Sequence, residues 1–217
     1  MEIEIPTGAA YILQQLNKHG YEAYIVGGCV RDSLLGKQPN DWDITTSAKP
    51  EEVKAIFHRT IDTGIQHGTV TVLVDREILD DGSGSPASHT DYAFEVTTYR
   101  VDGVYTDHRR PESVCFTASL EEDLKRRDFT INAMAYNPEQ GVIDIFGGQE
   151  DLEKGIIRCV GEASERFDED ALRILRAVRF AAQLDFVIED QTREAMRDQA
   201  KFLKDISAER ILSLIHI

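Results

Sequence analysis

Basic residues are scarce in this chain: 24 Lys and Arg stand against 39 Asp and Glu, a formal charge of -15 at pH 7 over 217 residues. Phosphate backbones are bound mainly by Lys and Arg, so a simple basic nucleic-acid module is excluded. Cysteine is scarce too. Cys29, Cys115 and Cys159 form no CxxC or other ligand spacing, and an odd, scattered set suits a reducing compartment; they read as small core residues. No window approaches eighteen apolar residues, and residues 1 to 25 lack a basic start followed by an apolar run, so neither a membrane span nor a leader is expected. The expected location is cytoplasmic, away from membranes. No internal repeat is present. What the chain does have is 41% apolar residues, enough to bury a core in one large domain or two small ones.

Ala10, Ile12, Leu13 and Leu16 fall near helical spacing and Gly20 closes the run, which predicts an amphipathic opening helix. A strand over Ala23 to Val26 enters a double glycine. Val30 to Leu35 reads as a helix ended by Gly36, and Asp41 to Thr45 as a second strand. Residues 68 to 74 and Tyr92 to Tyr99 read as a third and a fourth strand; the Gly-, Ser- and Asp-rich stretch between them reads as an exposed connection. SLEEDLKRRDF predicts a charged helix beginning at a Ser cap, and INAMAY and VIDIF predict strands. From Glu165 onward the pattern is helical. Leu172, Leu175, Val178 and Ala182 fall on one stripe, and a further helix spans about Glu189 to Leu203. The expectation is a mixed α/β domain over residues 1 to 154 and a helical segment over 155 to 217.

The most informative stretch is Val26-Gly-Gly-Cys-Val-Arg-Asp32, followed nine residues later by Asp41-Trp-Asp43. In a strand, alternate side chains share a face, so both carboxylates point one way and repel unless a cation sits between them. Mg²⁺ fits that gap, because it takes carboxylate oxygens together with substrate phosphates; two such ions roughly 3.5 to 4 Å apart can clamp the attacking and leaving oxygens of phosphoryl transfer. A bare DxD can equally be a solvated turn with two surface acids. Upstream, Gly27 and Gly28 admit close backbone approach to an anion, the helix start adds its positive end, and Arg31 can hold phosphate oxygens bidentately. Glycine also serves strand-to-helix turns for geometry alone. Taken together, these residues point to a phosphate cradle preceding a metal site.

Three further groups are candidates. Glu95, in a neighbouring predicted strand, can complete the metal site or act as general base toward a hydroxyl; it can equally be an outward strand residue. Arg126, Arg127 and Asp128 precede Phe129-Thr-Ile-Asn132. In isolation they are a salt-linked surface; beside a triphosphate they supply cations for a ligand carrying about four negative charges. Asp170 and Arg173, three apart in a predicted helix, are either an i,i+3 ion pair or a base reader. A carboxylate that accepts beside a guanidinium that donates complements the Watson-Crick edges of adenine and cytosine, while guanine and uracil present the reverse order.

GGCVRDSLLG with DWD, then RRDFTINAMAY, DIFGG and EDALRILRAVRF resemble, in order, the successive signatures of class II CCA-adding tRNA nucleotidyltransferases and bacterial poly(A) polymerases. The resemblance covers roughly residues 7 to 211. It implies an α/β (α+β) nucleotidyltransferase head of polymerase-β type with a mixed sheet, followed by an all-α neck. It assigns Mg²⁺ binding to Asp41 and Asp43, and Glu95, from its place in the neighbouring predicted strand, is expected to join them in catalysis. It puts nucleotide phosphate or ribose contacts on Gly28, Arg31 and Arg127 and base selection on Asp170 and Arg173, with Arg176 and Arg179 matching further nucleotide-contacting arginines; Gly27, Asp128 and Asn132, beside these in sequence, are expected to share in nucleotide binding. The implied partners are the tRNA 3′ end, CTP and ATP. Poly(A), CC-adding or A-adding activity is the alternative within the family, and an inactive nucleotide-binding fragment the alternative outside it. Two departures stand out. Residues 75 to 91 exceed the family's usual hairpin, and the body and tail domains expected beyond the neck are absent from these 217 residues. The segment VDGVYTDHRRPESV resembles the family's flexible loop, with His108 a loop residue and not a catalyst.

Overall fold

The computed structural model describes residues 2–75, 93–103 and 114–216. The long connection near residues 75 to 91 and the loop containing His108 therefore lie outside the described residues, apart from their ends. The described chain packs into two compact units: Met1–Val101 with Cys115–Leu124 and Met134–Ile143, and Asp102–Val114 with Lys125–Ala133 and Asp144–Ile217. Residues 125–133 and 144–154, placed by sequence with the mixed domain, thus pack with the helical unit.

The first unit is built on β1 (Ala23–Val26), β2 (Ile44–Thr46), β3 (Thr60–Gly64), β4 (Thr69–Leu73), β5 (Ala93–Thr98), β6 (Met134–Asn137) and β7 (Gly141–Asp144). They form one sheet in the order β3-β4-β5-β2-β1-β6-β7. β1 pairs antiparallel with β2 and β6, whereas β2 pairs parallel with β5, so the sheet is mixed, as expected. All four residues of β1 are buried, which explains a continuous apolar strand without alternation. Helix α1 (Thr7–Lys18) packs Ala9, Ile12, Leu13 and Leu16 into the core against β1 and β2. Burial of each of Ile12, Leu13 and Leu16 stabilises the fold by about 1.5–3 kcal/mol. Helix α2 (Gly28–Leu34) packs on β1 and β6. Helices α3 (Pro50–Ile56) and α4 (Leu120–Lys125) complete the unit.

Several boundaries differ from the sequence expectation. The second strand begins at Ile44, so Asp41 to Asp43 form the approach to β2 and not its body. Residues Thr130–Asn132 make a tight helical turn before the strand at Met134. Helix α3 and the edge strand β3 were not foreseen, although Pro50 at the first helical position and the Glu52 carboxylate accepting from the Lys49 N–H are a readable helix start.

The second unit contains α5 (Gly148–Lys154), α6 (Ala163–Glu169), α7 (Leu172–Leu184), α8 (Asp190–Gln199) and α9 (Ala208–His216). A short parallel ribbon joins β8 (Ile156–Ile157) to β9 (Val187–Ile188). The long helix expected from Glu165 is broken at Asp170, whose backbone is extended (φ -143°, ψ 102°). The predicted apolar stripe is also corrected: α7 buries Arg173, Ile174, Ala177 and Phe180, while Val178 is 51% exposed. An arginine on the buried face hides the true stripe from a hydrophobic pattern. The segment DIFGG is explained here. Asp144 accepts from the N–H groups of Gly148 and Gln149 at 2.8 and 2.9 Å, and Gly147 turns the chain with φ 76°, so these residues cap α5.

Candidate functional site

In the first unit, Gly27 adopts φ 85° and ψ -132°, a conformation closed to residues with a Cβ. Its N–H donates to the Met134 carbonyl at 3.2 Å and its carbonyl accepts from the Arg31 N–H at 3.2 Å, turning β1 directly into α2. One residue earlier, the Val26 N–H donates to the Asp43 carbonyl at 3.0 Å. The β1–β2 ladder therefore continues past Ile44, and the second acid of DWD stands across from the residue that opens the glycine turn. Asp41 and Asp43 are exposed and Trp42 between them is half-buried, the alternation expected if both carboxylates face solvent together.

Glu95 is also exposed. Ile44 pairs with Val96 in the parallel register, so one step back along both strands sets Asp43 beside Glu95, on the face shared with Thr45 and Thr97. Thr45 anchors this region. Its hydroxyl lies 3.1 Å from an oxygen of Asp123, a fully buried carboxylate that also accepts from the Arg100 N–H at 3.3 Å. Nothing in the sequence marked Asp123, which sits in a charged run.

Arg31 is only 5% exposed, and its fork is engaged by its neighbour: Nε donates to Asp32 Oδ1 at 2.8 Å and Nη2 to Oδ2 at 2.9 Å. Among the described residues no group of three or more His, Cys, Asp or Glu gathers to hold a metal ion. Two exposed carboxylates one residue apart still suit a hard cation that fills its remaining positions with water and phosphate oxygens, which is the habit of Mg²⁺.

The other candidates belong to the second unit, where helix arginines hold the 125–132 segment. Arg166 donates to the Lys125 carbonyl at 3.2 Å, and Arg173, buried, donates to the carbonyls of Arg126 and Arg166, each at 3.1 Å. Arg173 also pairs with Glu169. Arg176 Nε donates to Asp128 Oδ2 at 2.6 Å, while Asp128 Oδ1 accepts from the Phe129 N–H at 2.9 Å and from Asn132 Nδ2 at 3.3 Å. Burial pushes the Asp128 carboxyl up, but Arg176, with help from Arg173 and Asn132, outweighs it and holds the group below its ordinary value. Arg127 is half-buried beside this network, and Arg179 is half-buried on α7.

Asp170 and Arg173 do not sit on one helical turn, because the chain is extended at Asp170. Its carboxylate accepts from the Leu172 N–H at 3.0 Å, capping α7, and from Arg210 through Nη1 at 3.2 Å and Nη2 at 2.8 Å. Sequence spacing missed Arg210, since the two residues are forty positions apart.

A mixed sheet with a glycine turn and an acid pair meeting at its central strands, followed in sequence by helices, is the architecture of a polymerase-β-type nucleotidyltransferase head with a helical neck. The chain belongs to the family described as the poly(A) polymerase head domain, which matches residues 23–158; the probable RNA- and SrmB-binding site of polymerase A matches residues 185–213. It is 55% identical over 200 residues to the CCA-adding enzyme of Leuconostoc mesenteroides and 56% identical over 200 residues to that of Geobacillus thermodenitrificans. Each match covers 92% of this chain and 46% of the relative, so the chain spans just under half of the proteins it resembles. The crystal structure of the Bacillus stearothermophilus CCA-adding enzyme in complex with CTP superposes with a TM-score of 0.82 at 47% identity, over 98% of this chain and 48% of that one. The Thermotoga maritima CCA-adding enzyme complexed with tRNA gives a TM-score of 0.71 at 27% identity, over 94% and 44% of the two chains.

Proposed function

We propose that this chain is the catalytic and base-selecting part of a tRNA nucleotidyltransferase that adds CCA to the tRNA 3′ end from CTP and ATP without a nucleic-acid template. The observation that supports it is the meeting of Asp43 with the Val26–Gly27 turn: the pairing of neighbouring strands brings an acid pair to a strand-to-helix turn. The functional division follows the sequence, with a catalytic head over residues 1–154 and a base-selecting neck over 155–217.

Asp41 and Asp43 would hold Mg²⁺. When bound, the metal lowers the pKa of the attacking 3′-hydroxyl and neutralises triphosphate charge. Glu95 would take the proton from that hydroxyl, a role supported by its register position beside Asp43. The Gly27–Gly28 turn admits phosphate oxygens, and Arg31 would exchange part of its Asp32 pairing for them. Arg127, Asp128 and Asn132 contact the nucleotide, Asp170 and Arg173 read its base edge, and Arg176 and Arg179 add positive charge near them. The acidic overall charge fits a catalytic portion whose tRNA affinity comes from basic surface elsewhere in a longer protein. Such work belongs to the cytoplasm, where tRNA matures.

Poly(A) polymerase is the second activity that the family's name supports. Incubation with tRNA lacking its terminal CCA and each nucleotide singly separates the two. CCA addition gives two incorporations from CTP alone and one further only when ATP is then added; long tails from ATP alone overturn the proposal, and binding of CTP without any product points to an inactive nucleotide-binding chain. Chelation of divalent ions should stop transfer.

A further inference from the structure

The proposed base reader works by rejection as much as by attraction. Cytosine and uracil have the same shape; at a carboxylate acceptor, cytosine offers its N4 amino group and uracil offers an O4 lone pair. At this acceptor uracil is refused only if the carboxylate cannot turn away from that repulsive contact. Asp170 sits in an extended break between two helices, where the backbone alone does little to restrain its side chain.

Arg210 supplies the restraint. Its planar guanidinium meets the Asp170 carboxylate with both oxygens engaged, Nη1 to Oδ1 at 3.2 Å and Nη2 to Oδ2 at 2.8 Å, while the Leu172 N–H takes a second position on Oδ1 at 3.0 Å. A carboxylate has about four lone-pair positions. Three are therefore occupied, and the one left over is on Oδ2. The pair is neither sealed nor fully solvated: the two side chains are 20% and 18% exposed. Two parallel N–H···O bonds fix the plane of the carboxylate as one bond cannot.

Resting on the base-selection proposal, we infer that Arg210 is a specificity-determining positioning residue, which locks Asp170 so that its remaining lone pair meets an amino group and repels a carbonyl. Loss of the lock lets Asp170 swing aside, and the part of the penalty against uracil or guanine that arises at the carboxylate is then relieved. A helix-anchoring ion pair would predict lower stability with unchanged selectivity.

The test compares the full chain carrying the natural sequence, Arg210→Ala, Arg210→Lys and Asp170→Ala. Equilibrium titrations with CTP, UTP, ATP and GTP are run beside thermal melts. Arg210→Ala should reduce the CTP-over-UTP and ATP-over-GTP preferences about tenfold or more, with tighter UTP and GTP binding contributing to the change. Arg210→Lys keeps the charge but not the fork, stays folded if the alanine variant does not, and should recover only part of the preference. Unchanged preference in folded Arg210 variants, with Asp170→Ala losing it, overturns the role of Arg210 alone. Retained preference in Asp170→Ala overturns the base-selection proposal itself.

Discussion

Arg176 closes on Asp128: Nε donates to Oδ2 at 2.6 Å, and the same guanidinium lies 5.3 Å from the centre of the Phe180 ring. Phe180 in turn meets Phe129 edge to face, with centroids 5.8 Å apart. One face of α7 thereby holds the Asp128–Phe129 corner by charge and by ring packing at once, so the nucleotide contact proposed for Asp128 would fall on a carboxylate that is already fixed.

The Asp128 carboxyl titrates below its ordinary value near 3.8. A depressed folded pKa means that its contribution is complete above the unfolded value and is lost as pH falls through the folded one. Asp128→Asn should therefore cost about 2 kcal/mol at pH 7 and flatten the acid limb below about pH 4. Urea unfolding at pH 7 and at steps from pH 5 to 3 measures both; parallel acid limbs would show that the pair contributes nothing.

Gly27 and Gly28 should separate cleanly in stability. Gly27→Ala forces a Cβ into φ 85° and should cost about 1–3 kcal/mol. A Cβ at Gly28 would meet nothing nearer than Arg31 Nη2 at 3.6 Å, an ordinary contact, so Gly28→Ala should lie within about 1 kcal/mol of the natural chain. Thermal melts of the two variants decide it, and equal losses would argue against the turn geometry.

Asp41→Ala and Asp43→Ala remove exposed side chains. Each should shift stability by no more than about 0.5 kcal/mol while reducing nucleotide transfer by several orders of magnitude. Magnesium titration followed by heat release gives a second readout, since either variant should lose the binding isotherm. Full transfer activity in Asp41→Ala would refute the metal assignment.

Thiol labelling tests the core. Burial pushes the Cys29 thiol up to about 11 and the Cys159 thiol up to about 12, whereas Cys115 is exposed. A maleimide at pH 7 should modify one cysteine in the native chain and all three after denaturation. Rapid native labelling of three thiols would contradict this packing.

Much of the architecture was legible in short stretches. The opening helix, β1 and the third and fourth strands follow from local periodicity, the mixed sheet was implied by the family resemblance, and the glycine turn and DWD were recognisable as a unit from sequence. Less was legible where charge is buried. Arg173 occupies the core face of α7, so apolar spacing selected Val178, which is half exposed. The break at Asp170 was hidden because no Gly or Pro marks it; a side-chain cap on Leu172 and the pull of Arg210 decide the backbone there.

The sequence by itself determined most of the strands, the turn that needs a glycine and the acid pair that follows it, because each depends on neighbours a few residues away. Tertiary structure alone decided which carboxylate meets which guanidinium. Asp170 finds Arg210 across forty positions and Asp128 finds Arg176 across 48. With 39 acids and 24 bases in the chain, spacing cannot choose among pairings. Packing chooses them, because a buried charge is tolerable only where the folded chain delivers its partner.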